Sequence, residues 1–149
     1  MNTLDEKDIK ILELLKEDSS LTTRQIAKKT LIPITTVHHR VKKLKAEKYI
    51  KKYTVNLDYK KLGKGFTAII LVSCDYKTLR EAKRDQHKLA KEISIMKEVE
   101  KVDIVTGGTD MVVRVRVKDV EEYDSFLLKK FQRITGIDKT QSLIVIHES

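Results

Sequence analysis

The sequence predicts an α+β chain in two parts: an N-terminal three-helix unit of the helix-turn-helix, winged-helix-like kind, and a C-terminal ferredoxin-like βαββαβ unit. Three observations predict it. Helix-start signals recur three times before residue 50, the periodicities from Phe66 onward run strand, helix, strand, strand, helix, strand, and the charge changes character between the halves. The 149 residues carry a formal +9; residues 1–65 hold 16 basic and 8 acidic side chains, whereas residues 66–149 hold 15 and 14. A chain of this length has room for two small domains with packed cores, but not for a large enzyme.

Each N-terminal element carries its own signals. Asp5 is placed to cap a first helix, with Leu4 and Ile9 set for a hydrophobic staple and Ile9, Ile11, Leu12 and Leu15 forming an apolar stripe that ends near Asp18-Ser19-Ser20. Thr22 with Gln25 is a capping box and Leu21 with Ile26 repeats the staple, so a second short helix runs from about Thr23 to Lys29. Pro33 opens a third, in which Ile34, Val37, Val41 and Leu44 recur at spacings of three, four and three. Tyr49 to Leu57, rich in β-branched and aromatic residues, reads as a strand or wing leaving the bundle. The division expected is 1–50 for the helical domain, 51–65 for a strand or linker, and 66–149 for the second domain, with Leu62-Gly63-Lys64-Gly65 as the boundary signal.

On the third helix, a rotation of 100° per residue places Thr35, Thr36, His39, Lys42 and Lys43 away from the core, Arg40 on the border and His38 nearer the buried edge. Short hydroxyls at the helix start let its backbone approach base edges, His39 can donate or accept there, and Arg40, Lys42 and Lys43 can neutralise phosphates. Thr23 and Arg24, opening the second helix, complete the candidate set for double-stranded DNA. Residues 24–64 hold 13 basic side chains against Glu47 and Asp58 alone. A charge spread merely for solubility would not concentrate in this way.

In the second half, strands are expected at about 66–75, 99–106, 110–118 and 138–147, and helices at 78–97 and 119–132. Met111, Val113, Val115 and Val117 alternate with Val112, Arg114 and Arg116, which gives one apolar sheet face to carry the helices. Asp119 with Glu122 caps the second helix, and Leu79, Ala82, Gln86, Leu89, Ile93 and Met96 form a seam along the first.

Other chemistries find little support. Ala68 to Val72 is the longest apolar run, far short of a membrane span, and Met1 to Glu6 carries neither a signal peptide nor a myristoylation motif, so a cytoplasmic chain without membrane attachment is expected. Cys74, the single cysteine, reads as a small buried hydrophobe. His38, His39, His87 and His147 show no ligand spacing, so neither a metal nor another cofactor is expected. Gly63-Lys64-Gly65-Phe66-Thr67-Ala68 matches G-x-G-x-x-A but precedes a strand, and the related start of an RNA-recognition octamer lacks its stacking aromatics. No catalytic constellation appears, so the chain reads as a non-enzyme. A wrapper of DNA with little sequence preference remains the alternative to a sequence-specific regulator.

Leu4-Asp5, Asp8, Ile11-Leu12, Leu15, Asp18, Ile26-Ala27, Thr36-Val37, Arg40-Val41, Leu44, Ile50 and Tyr53 together resemble the opening of the leucine-responsive Lrp/AsnC (feast/famine) transcriptional regulators. Leu31 and Lys48 stand where that family usually has Gly, and Pro33 where it has a Ser cap. Thr106-Gly107-Gly108-Thr109-Asp110-Met111 resembles the family's TGxxD effector loop. The resemblance implies a transcription regulator that assembles as a homodimer, tetramer or octamer and takes a small-molecule effector, an amino acid, between subunits. The 78–97 helix is about two turns longer than the family pattern. Gly107 and Gly108 allow close backbone approach, Thr109 lies between them and Asp110, Asp110 offers a carboxylate to an ammonium group, and Thr140 and Ser142 offer hydroxyls. The same loop is equally consistent with a hairpin turn whose Asp caps its own backbone.

Overall fold

The computed structural model describes residues 3–148, which divide into two compact units between Leu57 and Asp58. In the first, α1 (Glu6–Glu17), α2 (Thr23–Thr30) and α3 (Ile34–Ala46) pack around Ile11, Leu15, Ile26, Ile32, Val37 and Leu44. Two reciprocal capping boxes start α1 and α2. Asp5 accepts from the Asp8 amide while Asp8 accepts from that of Asp5, and Thr22 and Gln25 do the same one helix later. Each box satisfies amide donors that the first helical turn leaves unpaired.

The apolar stripes are narrower than their spacing implies. Ile9 and Ile34 are exposed, and Ile32, one turn before the helix proper, fills the core position that Ile34 was expected to take. A helix of 13 residues needs only Val37, Val41 and Leu44 against its neighbours, and the extended backbone at Pro33 swings Ile32 inward. His38 is likewise exposed rather than at the buried edge. The turn from α2 to α3 runs through Leu31 at φ 58°, and the exit from α3 through Lys48 at φ 64°, both left-handed. The strand expected over 49–57 does not form: among the described residues every strand lies from Phe66 onward.

The second unit is a four-stranded antiparallel sheet in the order β2-β3-β1-β4, built from β1 (Phe66–Cys74), β2 (Val99–Ile104), β3 (Met111–Val117) and β4 (Ile137–Ile144). That order is the ferredoxin-like arrangement. Ala68, Ile70 and Val72 of β1 and Met111, Val113, Val115 and Val117 of β3 form one fully buried face, packed with Leu79, Leu89, Ile93, Tyr123, Phe126 and Phe131 from the helical layer. Strand alternation then sends Ile69, Leu71, Ser73, Val112 and Arg114 to the other, open face.

The helix expected over 78–97 is two: α4 (Tyr76–Glu81) and α5 (Gln86–Ser94), broken where Lys83 adopts φ 53°. The break is capped. Asp75 accepts from the Thr78 amide and Asp85 from that of Lys88, so each short helix has its own start. Ala82 therefore falls outside both helices and is exposed, leaving Leu79, Leu89 and Ile93 as the buried part of the seam. The helix expected over 119–132 ends sooner, as α6 (Val120–Lys129) followed by a single 3-10 turn, Phe131–Arg133. Gly136, at φ 105°, lets β4 pass tightly over α4; a Cβ there would sit 2.3 Å from Leu79 Cδ2.

Candidate functional site

Two places carry the candidate residues, one in each unit. In the first, α3 presents Thr35, His39, Lys42 and Lys43 to solvent, with Thr36 half-buried, while Val37 and Leu44 anchor the opposite side. Thr23 and Arg24 open α2, Arg24 exposed and Thr23 half-buried. Arg40 is different. Its Nη1 donates to Asp5 Oδ1 at 2.6 Å and to Asp8 Oδ1 at 2.9 Å, which ties α3 to the start of α1. The guanidinium, followed by the Asp8 amide, holds the Asp5 carboxyl down at about 2. Arg40 thus has its Nη1 committed within the fold, whereas Lys42 and Lys43 make no ion pair among the described residues and keep their charge for an external anion.

Thr36, His39 and Lys43 also line a shallow depression together with Thr3, Asp5, Asp8 and Arg40. Carboxylates and cations therefore share this depression. An α-helix with small residues at its start and unpaired lysines a turn or two later can enter a major groove with its lysines near phosphates. Sequence patterning found this face, but it could not find the Arg40 pairing, which spans 35 and 32 residues.

In the second unit the turn between β2 and β3 holds Gly107, Gly108, Thr109 and Asp110. Gly107 takes φ 129°, and a Cβ on either glycine would meet open space. Asp110 turns inward: Oδ2 accepts from the Cys74 amide at 2.7 Å and Oδ1 from the Tyr76 hydroxyl at 2.8 Å. That bond to Asp110 is the main reason the Tyr76 phenol is pushed up to about 12. The Asp110–Cys74 bond falls at the irregularity between Ser73 and Cys74 in the β1/β4 register. Burial first, and the Asp110 charge second, push the Cys74 thiol up to about 11, which makes it a poor nucleophile.

Gly108, Thr109 and Thr140 come together around an open pocket of about 520 Å³, whose other walls are Leu71, Ser73, Lys139 and Gln141. Thr140 Oγ1 accepts from Gln132 Nε2 at 2.8 Å, and Ser142 lies away from the pocket with its hydroxyl against Tyr123. The reason is strand parity. Thr140 and Ser142 pair with Val72 and Ile70, on the helix-covered side, while Lys139 and Gln141 pair with Ser73 and Leu71 on the open side. Thr140 still borders the pocket; Lys139 and Gln141, which sequence reasoning did not select, stand on its wall beside it, and the alternation along β4 was the signal for them. Among the described residues no group of three His, Cys, Asp or Glu is placed to hold a metal ion, and no helix is long and apolar enough to cross a membrane.

Residues 67–149 match the profile described as the Lrp/AsnC ligand binding domain, and residues 4–51 that of a winged helix-turn-helix DNA-binding domain. The chain belongs to the Lrp/AsnC family of transcriptional regulators. It is similar to an uncharacterized HTH-type transcriptional regulator of Pyrococcus furiosus, with 36% identity over 96% of this chain and 91% of that protein. A second such regulator, from Pyrococcus horikoshii, is 34% identical over 95% of this chain and 91% of the relative. Among solved structures, a transcriptional regulator of Neisseria meningitidis in complex with L-Met superposes with a TM-score of 0.88 at 27% identity, covering 98% of this chain and 92% of that one. As an Lrp/AsnC member the chain is a DNA-binding transcription regulator with a ligand-binding second domain.

Proposed function

We propose that this Lrp/AsnC protein reads double-stranded DNA through α3, with Thr35, Thr36 and His39 at base edges and Lys42 and Lys43, joined by Arg24, on phosphates. Thr23 sits at the start of α2 to meet the backbone. In this reading Arg40 orients the helix by gripping Asp5 and Asp8, and its contribution to phosphate binding is secondary. The second domain takes an amino acid in the pocket beside Gly108 and Thr109 at a subunit interface, and occupancy changes how copies of the chain assemble as dimers or larger homo-oligomers. The protein works in the cytoplasm by binding, without turnover. The exposed face of α3, with unpaired lysines beside short hydroxyls, carries the reading.

Selection of genomic DNA fragments on the purified protein at near-physiological salt, with and without a mixture of amino acids, tests it. The expected result is a shared palindromic site with half-sites about 10 bp or a multiple apart, its occupancy shifted by the amino acids. Uniform and steeply salt-sensitive recovery of all fragments would overturn the sequence-specific reading in favour of a DNA wrapper.

A further inference from the structure

The pocket beside the 106–111 turn has a chemical bias of its own. Its wall contains one cation, Lys139, and no carboxylate; Gln141, Ser73 and Thr109 are neutral. Asp110, the nearest acid in sequence, has both oxygens taken by the Cys74 amide and the Tyr76 hydroxyl. Lys139 lies on the exposed side of β4 opposite Ser73 and makes no ion pair among the described residues. The amides of Gly107, Gly108 and Thr109 likewise donate to nothing among the described residues, although the flanking Val105 and Asp110 amides are both used, on the Asp110 and Val72 carbonyls. Free amides in a glycine turn with room for a ligand over both glycines form a receptor for one carboxylate, and a free lysine forms a receptor for a second.

We infer that the pocket selects an amino acid with an acidic side chain, glutamate or aspartate, the turn amides of Gly108 and Thr109 holding one carboxylate and Lys139 the other. This specificity rests on the reading of the pocket as an amino-acid site. The ammonium group has neutral acceptors within the same wall: the Ser73 hydroxyl, the Gln141 carbonyl, and the lone pairs of Thr109 Oγ1, whose proton goes to the Val72 carbonyl at 2.8 Å. An aliphatic side chain would find only Leu71 as an apolar contact. A basic one would meet Lys139 with like charge, and this chain's share of the wall offers no carboxylate to offset it.

Calorimetric titration of the full chain with L-glutamate, L-aspartate, L-leucine, L-methionine and L-lysine tests the selectivity, alongside Lys139→Met and Lys139→Arg. The acidic pair should bind about tenfold or more tighter than leucine or methionine, with lysine weakest. Lys139→Met should erase that preference by weakening glutamate and aspartate, and Lys139→Arg should keep it. Since Lys139 is exposed, the far-ultraviolet spectrum and thermal midpoint of the free protein verify that both variants fold. Leucine or methionine binding as tightly as glutamate, or a Lys139→Met variant that still prefers glutamate, overturns the acidic selectivity and leaves the amino-acid site standing. Failure of all five to bind overturns both.

Discussion

Leu31 and Lys48 occupy left-handed backbone, at φ 58° and 64°, with their side chains in solvent. A Cβ in that region is strained, and neither side chain recovers the cost through burial. Leu31→Gly and Lys48→Gly should each raise the free energy of unfolding by about 0.5–1 kcal/mol, the relieved strain exceeding the added freedom of the unfolded glycine. Urea unfolding checks this, and a lower midpoint in either variant would show that the side chain makes a stabilising contact. Arg40 is the opposite case, a side chain whose value lies in its partners. Arg40→Met strands the nearly buried Asp8 carboxylate and should cost about 1–3 kcal/mol. It should also change the acid limb of stability. With the Asp5 carboxyl lowered from 3.8 to about 2, the folded state gains from its ionised form. That gain is fully present above pH 4 and is lost as pH falls from about 4 to about 2. Thermal midpoints measured across that window should fall less steeply in Arg40→Met than in the parent chain; parallel slopes would mean that Arg40 is not what lowers Asp5.

At the scale of elements, legibility followed whether the signal was local. The α1, α2 and α6 starts were readable because Asp5, Thr22 and Asp119 each accept from an amide three residues on, a pattern written in adjacent sequence. The cap of α5 at Asp85 was equally local and was missed because Ala82, Lys83 and Arg84 are good helix formers, so propensity concealed it. The break also has a tertiary side: Gly136, just before β4, lies close to both Leu79 of α4 and Leu89 of α5. Asp85→Ala removes the cap of α5 and should cost about 1 kcal/mol, read as a shift of the urea midpoint with unchanged slope. An unaltered midpoint would assign the break to Lys83 and Gly136 alone. The wing failed for a different reason: β-propensity over 49–57 says that residues suit a ladder, but a strand also requires a neighbouring strand, and the sheet described is made of β1 to β4. At the candidate pocket the loop was legible from its glycines, whereas adding Lys139 and Gln141 to Thr140 needed the β1/β4 register.

For the whole molecule, the division of charge was visible from counting alone, and it makes a quantitative claim about assembly. Each lysine that meets a phosphate releases counterions, so the logarithm of the binding constant falls against the logarithm of salt with a slope near −0.9 per contact on duplex DNA. Lys43 lies on the exposed face of α3 with no ion pair among the described residues, so its loss removes a contact without disturbing a pair. A single chain binding alone would lose about 0.9 from the slope in Lys43→Ala, whereas a dimer presenting two α3 helices to two half-sites would lose about 1.8. Sedimentation of the variant beside the parent separates the two effects, since the sheet-bearing unit that contains the candidate effector pocket does not include Lys43. The expected outcome is an unchanged oligomer and a slope reduced by about 1.8. A reduction near 0.9 with the oligomer intact would place one recognition helix per dimer on the duplex, and an unchanged slope would remove Lys43 from the interface altogether.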